Sequence, residues 1–292
     1  MRGNPEAHEL IAPGTLAGAL SYLAEDPGMW TPIAGGTELM VAYAAGRLRA
    51  HKLLSLQGLS ELESITATEQ YLSIGGSVTF SELRASSIIA SEFPLLARAA
   101  SWVGSIANQS RATVAGNIVN GSPAADAPPA LLVYDAEIEL ISQSGRRRMA
   151  YAEFHTSYKQ NRMNSDELVL SIHLPRRFMK HASYLRKVGT RRAMAITKVA
   201  IAATAIVKQG IITEIHLAAA SLADRPVRLF ATETALLGQP INMLHRNHVR
   251  AVLLEEAKPI DDIRSTAAYR KQVAANLLDE FLDELCFGGA NL

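Results

Sequence analysis

The sequence predicts an α+β chain in two domains, and three observations carry that prediction. Strand-like and helical segments alternate through the first 176 residues, with small-residue loops at strand ends. Beyond Pro175, three apolar segments of strand pattern follow one another: ASYLRKVG, KVAIAATAIVKQ and ITEIHLAAASL, with Gln209-Gly210 as a turn between the latter two. The rest of the chain then reads as helix. A length of 292 residues, 48% of them hydrophobic, can supply a core to each domain. The expected division is 1–176, in two lobes of about 1–57 and 58–176, and 177–292.

Taken in order, Pro13 to Asp26 carries Leu16, Ala19, Leu20 and Leu23 at helical spacing, with Gly14 and Thr15 as its start. MWTPIA is a short strand feeding a glycine loop, Thr37 to Ala44 a short helix, and His51 to Leu56 a strand. Tyr71 to Leu83 begins as a strand and breaks at Gly75-Gly76 into a helix. Phe93-Pro94 introduces the helix PLLARAASWV, whose small-residue face would bring its end against a second glycine loop. A helical turn at Pro128-Pro129 precedes the alternating strand Ala136 to Ser142; Arg148 to Phe154 and Asp166 to Pro175 are further strands. Thr156 to Ser165 is polar and irregular and reads as a long loop, and RRFMKH after Pro175 as a linker. Pro226 to Leu237, Asn242 to Lys258 and Arg264 to Phe287 read as helices. The last stacks Val273, Leu277 and Phe281 beside Leu278, Leu282 and Leu285, a core stripe.

Charge and cysteine content exclude several functions. A net charge of +1, spread over mixed signs, provides no field for nucleic acid or an anionic membrane. The one local excess, Arg146-Arg147-Arg148, reads as a solvated hairpin turn. The N-terminus lacks an apolar run of signal-peptide length and no segment reaches the length of a membrane span, so a cytoplasmic location is expected. The single cysteine, Cys286, forbids an intrachain disulfide and cannot hold an iron–sulfur cluster, which needs about four thiolates. Eight histidines are scattered without metal-ligand spacing; His245 and His248 read as a polar helix face. There is no G-x-S-x-G, no paired catalytic carboxylates, no H-E-x-x-H, no phosphate-binding Walker loop and no G-x-G-x-x-G after the first strand. The chain therefore presents no self-sufficient catalytic machinery, no catalytic residue and no metal site.

What remains is two loops of small residues, PIAGGTELM (Pro32 to Met40) and TVAGNIVNGSPAADAPP (Thr113 to Pro129). Glycine and alanine leave amide N–H groups uncovered and let main chain turn sharply. Either loop alone reads as a tight strand-to-helix connection; together they suit an extended anionic ligand, such as a dinucleotide held by its pyrophosphate. Asp126 reads equally as the cap of a helical turn.

These loops resemble the two flavin-binding signatures of the FAD-binding medium subunit of the molybdenum hydroxylases, the xanthine dehydrogenase and carbon monoxide dehydrogenase family. The first matches at Ala34-Gly35-Gly36-Thr37-Glu38-Leu39, and the second at Thr113 to Ile118, Ser122-Pro123 and Asp126. A third patch, KVGTRRAMAITKVAIAA from Lys187 to Ala203, resembles the strand that crosses the flavin ring, and the likeness covers nearly the whole chain. The resemblance implies a two-lobed α/β FAD-binding domain of the PCMH type, followed by an antiparallel sheet packed with helices. It implies FAD contacts from Ile33, Ala34, Gly35, Gly36, Thr37, Glu38 and Leu39, and from Thr113, Val114, Ala115, Gly116, Asn117 and Asp126. Val103, Leu168, Val169 and Ile196 would be apolar neighbours of the cofactor, and Lys187 a cation beside the flavin. By itself Lys187 reads equally as a strand-edge lysine.

The implied function is an FAD-dependent relay. A large subunit carries molybdopterin, a small subunit carries iron–sulfur clusters, and this chain's flavin passes electrons to an external acceptor. Three departures from the family pattern stand out: Ala115 replaces a glycine, Ala107-Asn108-Gln109-Ser110 replaces Q-I-R-N, and Ala195 replaces an aspartate. The second of these motivates an alternative, a stand-alone FAD-dependent oxidoreductase without molybdenum or iron–sulfur partners.

Overall fold

In the computed structural model, which describes residues 3–288, the chain folds around three sheets that succeed one another along the sequence. The first contains β1 (Glu9–Ile11), α1 (Leu16–Glu25), β2 (Trp30–Ile33), α2 (Leu39–Ala44) and β3 (Lys52–Ser55), with parallel strands in the order β1-β3-β2. Thr15 caps α1 by accepting a hydrogen bond from the Gly18 amide. The helix buries the anticipated Leu16, Ala19, Leu20 and Leu23. They pack with Trp30 and Leu54 and with Ile141, Leu168 and Leu170 of the next sheet, so the first lobe is seated on the second.

The second lobe holds β4 (Ile65–Ala67), β5 (Tyr71–Gly75), α3 (Phe80–Ala85), α4 (Ser87–Glu92), α5 (Pro94–Ala100), α6 (Ile106–Gln109), α7 (Val114–Val119) and α8 (Pro128–Val133). It continues with β6 (Glu137–Ser142), β7 (Gly145–Ala150), the small hairpin β8 (His155–Ser157) and β9 (Gln160–Asn161), and β10 (Leu168–Pro175). The five-stranded antiparallel sheet runs β4-β5-β10-β6-β7. One face, carrying Leu72, Ile74, Ile138, Leu140, Ile172 and Leu174, packs on the helices.

The C-terminal part has β11 (Ala182–Val188), β12 (Val199–Lys208), β13 (Ile211–Ala220), β14 (Val227–Arg228), α9 (Phe230–Leu236), α10 (Arg246–Glu256) and α11 (Ala267–Gly288), with strands in sequence order and antiparallel. The α11 stripe, Leu277, Leu278, Phe281, Leu282 and Leu285, covers one face. On the other face Ala202 and Ala218 join the core of the second lobe; these small side chains let α8 lie close to the sheet.

Five expectations differ from the structure. The three arginines are not a turn: they lie within β7, and Arg147 holds the buried Glu167 with two hydrogen bonds of 2.6 and 2.7 Å. Because β7 ends at Ala150, the segment that follows forms a short helical turn, Tyr151–Glu153, instead of continuing as strand. The polar stretch after Phe154 is not all loop, since His155 to Asn161 form a paired hairpin. The Pro226 segment starts as an edge strand, with helix only from Phe230, because Arg228 is drawn back to Asp135 at 2.6 Å and to Glu233. The RRFMKH segment is fastened rather than loose: Arg176 is forked onto Glu92 at 2.8 and 2.6 Å, and Phe178 is buried.

Candidate cofactor-binding site

A cavity of about 650 Å³ opens between the first lobe and the second, within the size range of small-molecule sites. Strand β2 leads into it, and parallel pairing with β3 sends the chain out of the sheet at Ile33, so the first loop forms one wall. The opposite wall is the first turn of α7, with Gly76 and Ser77 after β5 and Leu168 and Val169 at the start of β10. Among the described residues no protein acceptor reaches the amides of Gly35, Gly36, Thr37 or Glu38. Four main-chain donors are thus unsatisfied by protein at this wall, which is the property an anion cradle needs.

The two glycines do different work. A Cβ at Gly35 would come 1.7 Å from the Arg111 carbonyl oxygen, so this glycine lets the first loop touch the main chain that enters α7. Gly36 has φ of +69°, a left-handed conformation that turns the loop toward α2. Gly76, read from sequence only as a strand break, is another close approach: its Cβ would lie 2.3 Å from the Val169 carbonyl oxygen.

The second loop is not a second amide cradle. The Val114 and Ala115 amides donate to the carbonyls of Val78 and Gly76 at 3.0 and 3.2 Å, and the Gly116 amide donates to the Thr113 hydroxyl at 3.1 Å. Thr113 is the helix cap, and its donors are spent on the fold. The loop offers the cavity side chains instead. Asn117 lines it with a buried Oδ1 that has no partner. Ala115 is helical with negative φ, so its methyl is accommodated without strain.

Of the residues singled out from sequence, the cavity wall brings together Ala34 through Leu39, Val103, Thr113, Ala115, Gly116, Asn117, Leu168 and Val169. Five stand elsewhere. Val114 points into the core and Ile33 ends β2 behind Gly36. Asp126 and Lys187 pair with each other at 2.8 Å, both largely buried, and Thr197 donates to Asp126 at 2.6 Å. Burial pushes the Asp126 carboxyl above its ordinary range against the pull of Lys187 and Thr197. Their role in this structure is to tie the second loop to β11. Ile196 is 53% exposed on the segment between β11 and β12, because Arg191 folds back on the Ala193 and Met194 carbonyls and turns that segment outward.

Sequence reasoning missed Asn108, Asn161, Asn164 and Glu167, which also line the cavity. Asn108 lies in the departing segment, where it forms a reciprocal cap with Ser105. Burial opposes the charge of Glu167, but Arg147 and the Asn164 amide hold its carboxyl below the usual range. A second hollow of about 740 Å³ beside α10 is walled by one segment, Leu244 to His248, and has no opposing wall among the described residues. No helix among the described residues is long and apolar enough to cross a membrane.

A cavity between two lobes, a wall of free amides and an α+β frame along the chain make a site suited to an extended anionic ligand of the dinucleotide class. The sequence matches the FAD binding domain in molybdopterin dehydrogenase over residues 6–177 and the CO dehydrogenase flavoprotein C-terminal domain over residues 184–285. The chain belongs to that family of oxidoreductase subunits, and FAD is its cofactor.

It is 29% identical over 272 residues to the xanthine dehydrogenase FAD-binding subunit of Escherichia coli O157:H7, covering 92% of this chain and 93% of the relative. It is 27% identical over 292 residues to the nicotinate dehydrogenase FAD-subunit of Eubacterium barkeri, covering 97% and 98%. The fold is shared with the carbon monoxide dehydrogenase of Hydrogenophaga pseudoflava, in a structure lacking the Mo-pyranopterin moiety, at a TM-score of 0.91 and 22% identity over 96% of this chain and 97% of that one. Quinoline 2-oxidoreductase from Pseudomonas putida 86 gives a TM-score of 0.89 at 21% identity, covering 99% of both chains.

Proposed function

We propose that this chain is the electron-relay subunit of a molybdopterin-dependent dehydrogenase, with FAD lying in the cavity between the two lobes. The observation that carries the reading is the pairing of free amides at Gly35 to Glu38 with a close-packed second wall. When bound, FAD supplies the redox chemistry, and the protein fixes its orientation and environment. The first-loop amides would receive the diphosphate, the Asn117 side chain would supply a polar contact, and Val103, Leu168 and Val169 would exclude water from the apolar parts. No side chain on these walls is needed as an acid or base.

A single cysteine leaves this chain unable to bind an iron–sulfur cluster. Electrons would therefore enter from clusters in a small partner subunit, after substrate oxidation in a large molybdopterin subunit, and leave to an external acceptor in the cytoplasm. The names of the relatives, subunits of xanthine and nicotinate dehydrogenases, support this assignment. The division at residues 176 and 177, with a lobe break near 57, belongs to the same proposal. Co-expression with the two partner subunits tests it: a flavin reduced by substrate only in the three-component complex supports the relay. A flavin-loaded chain that turns over substrate alone would replace the relay with the stand-alone reading.

A further inference from the structure

Among the described residues, the walls of the cavity contain two carboxylates, Glu38 and Glu167, and no lysine or arginine. That is an unfavourable balance for a ligand with a doubly charged diphosphate, since like charges at close range repel strongly in a partly dry site. Glu167 is neutralised from behind by Arg147 at 2.6 Å. Glu38 is the last residue of the free-amide run of the first loop, and the cation it meets is Lys159, at 3.4 Å.

Lys159 is delivered there by the fold. It forms the tip of the β8–β9 hairpin with φ of +54°, a left-handed conformation uncommon for a residue with a side chain. The hairpin is anchored on the helix of the second wall. Gly121, just past α7, has φ of +61° and lies so close that a Cβ there would be 3.1 Å from the Lys159 Cα. The Asn161 side chain donates to the Val119 carbonyl at 3.5 Å. One hairpin therefore rests on the second wall and reaches the first with its lysine.

We propose that Lys159 is the cation of the dinucleotide site, neutralising Glu38 and latching the first loop over the diphosphate. The proposal rests on the FAD reading above. An exposed pair of this kind adds little to the stability of a fold, so its effect falls on the ligand.

The test is titration of the full-length apoprotein with FAD at low salt, read by flavin fluorescence, together with the rate of FAD release. Lys159→Met should weaken binding by about tenfold and speed release. Lys159→Arg should stay within about threefold of wild type, as should the double variant Lys159→Met with Glu38→Gln, which removes both charges. ADP, a diphosphate without a flavin ring, should show the same ordering, and the differences should shrink at high salt. Binding by Lys159→Met within about twofold of wild type would overturn the proposal, as would a double variant no better than the single. Wild-type protein that binds no FAD would overturn the underlying reading along with it.

Discussion

Gly35 lies so close to Arg111 that a side-chain carbon on the glycine would come within 1.7 Å of the arginine's carbonyl oxygen. This contact joins the first loop, whose amides have no protein acceptor, to the segment entering α7 and so fixes where the loop lines the cavity. Gly35→Ala must push the two main chains apart. The expected cost is about 1–3 kcal/mol of stability together with weakened FAD binding, measured by urea unfolding and flavin titration on one preparation. Unchanged FAD affinity would mean that this approach does not shape the cradle.

Gly36→Asp should act differently. It imposes a side chain on a left-handed residue and sets a carboxylate beside the diphosphate, where repulsion costs several kcal/mol. FAD binding should be lost while the circular-dichroism signal of the C-terminal helices persists.

The Asp126–Lys187 pair fastens the second loop to the C-terminal sheet, with only 11% of either side chain exposed. Lys187→Met leaves a buried carboxylate uncompensated and should cost about 3–5 kcal/mol. The double variant Lys187→Met with Asp126→Leu should recover most of that loss. Chemical denaturation of the three variants decides it, and a single variant within about 0.5 kcal/mol of wild type would show that the pair is not a strut.

Acid should loosen the junction between the second lobe and the C-terminal sheet. Burial opposes the charge on Asp135, but His216 and Arg228 hold its carboxyl well below the ordinary range. A depressed carboxyl contributes stability above its unfolded value and loses it as pH falls toward its folded one, so the contribution should fade from about pH 4 downward. Asp135→Asn should lower the melting temperature by a few degrees at neutral pH and by less at pH 3. An equal drop at both values would remove Asp135 from this linkage.

Ile196→Ala and Leu277→Ala form a contrasting pair. Ile196 is 53% exposed, so its truncation opens no cavity in this structure and should change stability by less than about 0.5 kcal/mol. Leu277 is 8% exposed on the α11 stripe, and its truncation should cost about 2–5 kcal/mol. Thermal melts of the two variants check both statements.

Periodicity made the helices legible. The faces of α1 and α11 could be read from leucine spacing because each buries one continuous stripe. The glycine loops were legible because their composition is unusual. Less visible were relations between distant residues. The Arg147–Glu167 fork placed a supposed turn within an edge strand, and the pairing of Asp126 with Lys187 drew two expected cofactor contacts onto each other. No local pattern marks such partners. The two loops look equivalent as sequence, but hydrogen bonds to Val78 and Gly76 occupy the amides of the second and leave the first as the donor wall.

The most direct measurement is the flavin content of the purified chain after incubation with FAD, alongside the Gly36→Asp variant. Wild-type protein should carry stoichiometric FAD with a perturbed visible spectrum, and the variant should carry none. Wild-type protein that stays colourless after reconstitution, or a variant that retains FAD with wild-type affinity, would contradict the assignment of the cavity and its first loop to the dinucleotide.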